Sequence, residues 1–263
     1  MENKKTCIEV FVECASARDN GILIKRESAK DKEFHFQNWF EGRLKKLKLK
    51  YDPPARNSYP DFRLVQFPEG YEVKGLATPG RELNFDSNSQ VPTGYHNGRS
   101  IFYLFGRYQK ETKAKQYPVI DLVLCHGDFL NCDHEYVHEN KSVRGFGSYG
   151  DIMIRDRKMY VAPTPFALAS GTAGFATLIL PDGYPVDKRL QPVGNITRKE
   201  ADELITAYSF DLRTNSLRPT KVPNPNKGVE HHFKAYRIKG GPKASVALVS
   251  PTQIAEALKE SEE

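Results

Sequence analysis

The first regular pattern along the chain is helical and lies in the run KEFHFQNWFEGRLKKLKLK. Phe36, Phe40, Leu44 and Leu47 recur at helical spacing with Trp39 beside them, which predicts an amphipathic helix. The Asp-Pro-Pro that follows predicts the end of this helix, because proline cannot continue it. The preceding run TCIEVFVEC is compatible with a helix and with a strand.

Apolar runs after this helix predict strands. DFRLVQF and YEVKGLA, separated by the breaker PEG, predict a hairpin. Residues 78–100 are rich in Gly, Pro, Ser and Asn and predict a long polar loop. Four further runs predict strands: IFYLFGRY, YPVIDLVLCHG, DIMIRDRKMYVAP and FATLILPDG.

Two more helices are predicted near the C-terminal end from their start signals. Thr197 and Glu200 have the spacing of a capping box, and Ser250 and Gln253 repeat it. Between these helices, the basic and breaker-rich residues 218–243 are interpreted as a surface arm or an edge hairpin.

Composition places the chain among globular proteins. It has 263 residues, 39% hydrophobic and 11% aromatic, enough to bury a core without disulfides. No composition shift marks a boundary, so one α/β domain is predicted over residues 1–263, with a central mixed β-sheet flanked by helices. There is no apolar run of roughly 20 residues and no secretion signal, so a cytoplasmic protein with reduced cysteines and no membrane partner is expected. The net charge of +6 favours an anionic partner such as nucleic acid.

Three charged residues on the predicted hairpin indicate a metal site. Glu72 and Lys74 lie two apart on a strand and therefore on one face, while Val73 faces the core. The hairpin brings Asp61 near Glu72. Two carboxylates and a backbone carbonyl suit Mg²⁺, which lowers the pKa of a bound water and stabilises charge on a phosphoryl oxygen. With Lys74 orienting that water or stabilising the developing charge, the implied reaction is phosphodiester hydrolysis.

The position of the turn bears on whether the two carboxylates meet. A symmetric hairpin that places Asp61 opposite Glu72 turns near Gln66 and Phe67. The breaker Pro68 lies slightly later than that centre. A bulge or a splayed start to the first strand would reconcile the two positions, but the sequence pattern contains no sign of either.

The Pro-Asp pair, a ten-residue spacer and Glu-Val-Lys resemble the signature of the PD-(D/E)xK nuclease superfamily, and within it the type II restriction endonucleases. The preceding helix and the surrounding strands match the αβββαβ core order of that family over about residues 33–125. The resemblance implies a restriction endonuclease-like core with loop and hairpin insertions. It also implies a C-terminal extension that contacts DNA or forms a dimer.

The resemblance further implies a role for each residue of the motif. Asp61 and Glu72 would hold Mg²⁺, with the carbonyl of Val73 as a further ligand. Lys74 would be the catalytic lysine. Some members add a carboxylate from the preceding helix, and Glu41 is the candidate for it. The alternative for Glu41 is a solvated glutamate on the helix face.

A nuclease of this type must read bases, and the polar loop after the motif supplies suitable side chains. Arginine pairs with guanine through two hydrogen bonds, and asparagine or glutamine pairs with adenine. The preferred base contacts are Asn88, Gln90 and Arg99, with Arg81 and His96 as further candidates. The alternative is an ordinary polar surface loop.

Basic residues at the end of the first predicted helix fit phosphate contacts. Lys45 and Lys46 would position a duplex without reading its sequence, although a solvated helix end is the alternative. Double-stranded DNA is therefore the expected partner. Cutting both strands of a palindrome calls for two-fold symmetry, so a homodimer is expected. A cognate DNA methyltransferase is expected as a functional partner, not as a stable subunit.

Other interpretations stay open. One is a less specific repair or mobile-element nuclease of the same fold, and another is a non-catalytic nucleic-acid-binding protein. A zinc site at Cys132, His134 and His138 is less favoured, because their spacing is not that of a standard zinc motif.

Overall fold

The computed structural model describes residues 6–26, 34–52, 58–80, 82–88, 91–109, 114–132, 147–156, 159–211, 213–214, 216–250 and 252–254. The helices are α1 (Thr6–Asp19), α2 (Phe34–Lys46) and α3 (Pro165–Leu168), with a 3₁₀ turn at Gly127–Phe129. The strands are β1 (Ile24–Lys25), β2 (Tyr51–Asp52), β3 (Phe62–Leu64), β4 (Glu69–Thr78), β5 (Asn84–Asn88), β6 (Tyr95–His96), β7 (Arg99–Gln109), β8 (Gln116–Tyr117), β9 (Asp121–His126), β10 (Met153–Asp156), β11 (Met159–Pro163), β12 (Ala169–Ser170), β13 (Ala176–Pro181), β14 (Leu190–Lys199), β15 (Glu203–Asp211), β16 (Ser216–Pro223), β17 (Glu230–Ile238) and β18 (Ala247–Leu248). No helix within the described ranges is both long enough and apolar enough to cross a membrane.

A nine-stranded mixed sheet forms the centre of the molecule. Its strand order is β14-β17-β13-β9-β7-β4-β3-β2, and β6 pairs with β7 beside this path. β4 runs parallel to β7 and β9 runs parallel to β13, while the other neighbours are antiparallel. The predicted α/β fold with a mixed central sheet is therefore confirmed.

Side-chain alternation gives this sheet two buried faces. Tyr71, Val73 and Phe102 belong to the apolar cluster that includes α1 and α2. Tyr103 and Phe105 belong to the cluster on the other face, together with residues of β5, β11 and the 3₁₀ turn. Because both faces are covered, most of β7 reads as one continuous apolar run.

The elements around the motif follow the expected order only in part. α2, β3, β4 and β7 succeed one another, with the short β2 before β3 and with β5 and β6 between β4 and β7. In the described part of the connection from β7 to β9 there is no α-helix, and the four-residue α3 comes only after β9. The restriction endonuclease-like core thus stays a prediction.

The predicted helix at Thr197 and Glu200 is wrong, because β14 and β15 occupy this region. Thr197 lies opposite His232 in the pairing of β14 with β17, and its Oγ1 lies 3.0 Å from His232 Nδ1. Glu200 Oε1 lies 3.0 Å from His231 Nε2. The two side chains expected to cap a helix therefore make contacts between strands, and tertiary pairing overrides the local signal.

Other uncertain segments are resolved by the structure. The run TCIEVFVEC forms α1. At Ser250 the predicted helix start is confirmed, because Gln253 N donates to Ser250 Oγ at 3.3 Å and Ser250 N donates to Gln253 Oε1 at 3.0 Å. The predicted loop 78–100 contains β5 and β6. In the predicted arm 218–243, β16 forms a separate two-stranded ribbon with β15, whereas β17 lies inside the central sheet.

Two glycines let α2 approach the sheet closely. A Cβ at Gly106 on β7 would lie 2.0 Å from Phe36 Cζ, and a Cβ at Gly75 on β4 would lie 2.8 Å from Phe36 Cβ. Only residues without a side chain fit under this ring. Since Gln37 follows Phe36 in the helix, this packing also sets where Gln37 lies above the motif strands.

This packing predicts opposite effects of alanine at two glycines. Gly106→Ala should lower the free energy of unfolding by about 1–3 kcal/mol, because the new methyl overlaps the Phe36 ring. Gly42→Ala on α2 should raise it by about 0.5–1 kcal/mol, because nothing lies within 4 Å of the added Cβ and helix propensity improves. Urea unfolding of the two variants measures both effects, and an unchanged stability of Gly106→Ala would contradict the packing described.

Candidate active site

The register of the β3–β4 hairpin brings the motif together. Phe62 pairs with Tyr71 and Arg63 pairs with Gly70, and one further step of this register sets Asp61 opposite Glu72. The hairpin is therefore symmetric about residues 66 and 67, and Pro68 lies in the bend that leads into β4. No bulge is needed to place the two acidic residues side by side.

Arg99 hydrogen-bonds the main chain at the turn of this hairpin. Its Nη1 donates to the carbonyl oxygens of Leu64 at 2.6 Å and Phe67 at 3.1 Å, and the neighbouring Ser100 N donates to Pro68 O at 2.9 Å. The guanidinium thus satisfies main-chain acceptors that the bend leaves outside the strand ladder. Its predicted contact with a base stays a prediction.

Asp61 lies where β3 stops pairing, and among the described strands β4 has no strand partner on that side beyond Tyr71. Val73 N donates to Asp61 Oδ2 at 2.8 Å, so the carboxylate takes the place of the next ladder acceptor. Asp61 N in turn donates to Glu72 Oε2 at 3.2 Å. Because the N–H and C=O of one residue leave a strand on the same side, the Val73 carbonyl also faces this edge.

Lys74 contacts the second carboxylate. Glu72 and Lys74 share one side of β4, and Lys74 Nζ lies 2.7 Å from Glu72 Oε1. The Glu72 side chain is 11% exposed and that of Lys74 is 24% exposed. Solvent and salt screen the attraction of a pair this sheltered less than that of a surface pair. The structure therefore brings together Asp61, Glu72 and Lys74.

In the absence of a bound cation, the Asp61 and Glu72 carboxylates repel each other when both are charged. Burial and the neighbouring Glu72 charge raise the pKa of Asp61 to about 7, against the opposing effects of Lys74, the Val73 N–H and Gln37. Among the described residues no third acidic, histidine or cysteine side chain joins them in a ligand group. Two carboxylates, one carbonyl and several waters are a ligand set that fits Mg²⁺.

Helix α2 contributes a side chain that the sequence did not single out. Gln37 hydrogen-bonds the Asp61 carboxylate. Glu41, one turn further on, instead accepts a hydrogen bond from Tyr51 at 2.5 Å and pairs with Lys45 at 3.0 Å. Both described partners of Glu41 lie outside the acidic pair. The available signal for Gln37 was its position four residues before Glu41, on the same helix face.

Two tyrosines missed by the sequence analysis line the same site. The hydroxyls of Tyr59 and Tyr103 lie 2.7 Å apart. Tyr103 is paired with Glu72 in the parallel register of β4 and β7, so both side chains leave the sheet on the same face. Burial, followed by the charge of Glu72, raises the pKa of Tyr59, which keeps its hydroxyl neutral. The one local signal for Tyr59 was its place two residues before Asp61.

Of the predicted DNA contacts, His96 and Arg99 are paired across β6 and β7. Arg81 and Gln90 lie outside the described residues, and Asn88 ends β5, where its backbone pairs with Met159. His96 lies on β6 and packs its ring against Tyr59.

The two helix-end lysines are exposed but paired. Lys45 contacts Glu41 and Lys46 contacts Glu13, each at 3.0 Å. These ion pairs reduce the positive field that the helix end presents to a phosphate, and they are readily exchanged because the lysine side chains are 63% exposed. A role in phosphate contact stays a prediction.

For the less favoured zinc interpretation, His134 and His138 lie outside the described residues. Burial raises the pKa of the Cys132 thiol to about 12, and its sulfur hydrogen-bonds Tyr149 and the carbonyl of Asp128.

The raised pKa of Asp61 predicts a pH-dependent stability. In metal-free buffer the folded protein keeps a proton on Asp61 up to about pH 7, whereas the unfolded chain releases it at about pH 4. Stability from this group is therefore present below about pH 4 and is lost as the pH rises towards 7. The Asp61→Asn variant should lack this loss. As the pH rises from about 4 to 7, the difference in unfolding free energy between the wild-type protein and the variant should therefore change by on the order of a few kcal/mol.

Urea unfolding in EDTA across this pH range measures that difference. Parallel pH profiles for the two proteins would show that Asp61 titrates normally and that the carboxylates do not interact.

Comparison of the chain with protein-family models, curated proteins and solved structures gives no match.

Proposed function

We propose that this chain is a Mg²⁺-dependent deoxyribonuclease of the type II restriction endonuclease kind. It binds a short site in double-stranded DNA and hydrolyses phosphodiester bonds in both strands. The observation that carries the proposal is the meeting of Asp61 and Glu72 at the edge of β4, with the Val73 carbonyl on the same edge and the Lys74 ammonium 2.7 Å from Glu72. Net charge supports an anionic substrate.

In this proposal Asp61, Glu72 and the Val73 carbonyl hold Mg²⁺. The ion supplies a bound water of lowered pKa and positive charge for the phosphoryl oxygens. Lys74 orients the attacking water or donates to the phosphoryl oxygen that gains charge, because its ammonium lies beside a metal-binding carboxylate. Gln37 holds the Asp61 carboxylate in place through a hydrogen bond.

The proposed biological setting follows from the reaction. Cleavage of both strands of a palindrome is simplest for a homodimer whose two-fold axis coincides with that of the site. A DNA methyltransferase of the same specificity is the expected functional partner, and both would act in the cytoplasm, where the DNA is.

A less specific nuclease with the same catalytic residues is the second candidate. It is favoured by the contacts of Arg99, whose Nη1 is engaged by two main-chain carbonyls of the hairpin turn. An arginine used in this way is less free to read guanine.

Lys74→Ala should reduce DNA cleavage at least ~100-fold, because the lysine stabilises charge that develops in the reaction. Binding of the duplex should be retained, because Lys74 is only one of many cations that attract DNA. Plasmid digestion with Mg²⁺, with Mn²⁺ and with EDTA measures cleavage, and gel shift without metal measures binding. Lys188→Ala removes an exposed lysine from the loop between β13 and β14 and is the matched control, with wild-type cleavage expected.

The pattern of products separates the candidates. Discrete fragments support a restriction enzyme, and a smear supports the less specific nuclease. Absence of cleavage by the wild-type protein across diverse DNA with either metal would leave the non-catalytic binding protein. Cleavage by Lys74→Ala at the wild-type rate would remove Lys74 from the mechanism.

A further inference from the structure

Tyr59 connects three parts of the candidate site. It lies two residues before Asp61 in the segment that enters β3. Its hydroxyl lies 2.7 Å from that of Tyr103 on β7. Its ring packs edge-on against His96 on β6, with 5.0 Å between ring centroids and 79° between ring planes.

The tyrosine pair is anchored on both sides. Tyr103 is fully buried, and Glu72 is its partner across β4 and β7. The backbone of Thr93, in the segment that enters β6, hydrogen-bonds the hydroxyls of Tyr59 and Tyr103. A displacement of β6 would therefore move both tyrosines. It would act on their hydroxyls through the Thr93 backbone and on the Tyr59 ring through His96. Closely packed contacts transmit such a shift because they leave no void to absorb it.

The other end of this connection is a tight turn at the protein surface. Asn97 and Gly98 link β6 to β7 with φ angles of 47° and 77°, the left-handed pair of a two-residue hairpin turn. Asn97 Nδ2 lies 2.9 Å from His96 Nε2, and the Tyr95 side chain next to them is 52% exposed. A tip that presents an exposed amide, an exposed phenol and a half-buried imidazole suits contact with the edges of bases.

We propose that Tyr59 is a positioning residue that couples this hairpin to the metal-binding carboxylates, so that duplex DNA held by the β6–β7 tip strengthens divalent cation binding at Asp61 and Glu72. The inference rests on the proposed function. Coupling of two sites is reciprocal, so the cation strengthens DNA binding by the same factor. A cognate duplex thereby assembles the site that cuts it, and DNA that does not engage the tip leaves the carboxylates with weak cation affinity.

The experiment measures this coupling apart from catalysis. DNA binding is measured by fluorescence anisotropy with and without Mn²⁺ in Lys74→Ala protein, using a labelled fragment of a plasmid that the wild-type protein cuts. Mn²⁺ binding to the DNA-free protein is measured by calorimetry. Into this background are introduced Tyr59→Phe, which removes only the hydroxyl, and His96→Ala, which removes the ring contact. Tyr236→Phe, three strands away from β7 in the sheet, is the matched control.

We expect Mn²⁺ to tighten DNA binding about tenfold in the background protein and in the Tyr236→Phe control. In Tyr59→Phe and His96→Ala this factor should fall to about two or less, because either change breaks the connection. Tyr59→Phe should also weaken Mn²⁺ binding to the DNA-free protein, because it removes the hydroxyl contact that holds the segment carrying Asp61 against Tyr103, whereas His96→Ala should leave it unchanged.

The outcomes separate this inference from the proposed function. If the wild-type protein cuts no DNA and binds no Mn²⁺, the proposed function fails, and the coupling fails with it. If the wild-type protein cuts DNA but Tyr59→Phe keeps a tenfold effect of Mn²⁺, only the role of Tyr59 is overturned. A reduced effect in the Tyr236→Phe control would equally overturn it, because the loss would then reflect general destabilisation. Thermal unfolding checks that each variant is folded.

Discussion

The pairing of β3 with β4 is the constraint on which the candidate site depends. Only Phe62 with Tyr71 and Arg63 with Gly70 are paired, so two rows of a short hairpin set the register. A slip by one residue would turn every side chain of β3 to the opposite face and carry Asp61 away from Glu72. A hairpin this short is marginal in isolation, so its register has to be secured from outside.

Two sets of contacts secure it. Phe62 lies at an edge-on angle to Phe40 of α2, and Phe40 also contacts Tyr71, so the hairpin is fastened to the helix through its apolar face. At the turn, Arg99 holds two carbonyl oxygens of the bend. These contacts keep the Asp61 and Glu72 carboxylates close together although the two groups repel each other. Sites that hold groups in an unfavourable state at the expense of packing elsewhere are typical of binding and catalysis.

Part of this arrangement was readable along the chain. The common face of Glu72 and Lys74 followed from strand alternation alone. The amphipathic pattern around Phe36 located α2, although the helix ends at Lys46 and not at the Asp-Pro-Pro that was expected to end it. The turn residues left the register of Asp61 open, because Pro68 punctuates the end of the bend and not its centre. At Thr197 the local pattern predicted the wrong element, since pairing of β14 with β17 outweighed a capping signal worth about 1 kcal/mol.

The sequence by itself determined the chemistry of the motif: two carboxylates and a lysine at strand spacing, after an amphipathic helix. Only the tertiary structure decided which other groups surround them. Gln37 reaches Asp61 because Gly75 and Gly106 admit α2 close to the sheet, and Tyr103 meets Tyr59 because parallel pairing sets it beside Glu72. These contacts join residues far apart along the chain, so they depend on packing and strand order, which no local pattern encodes.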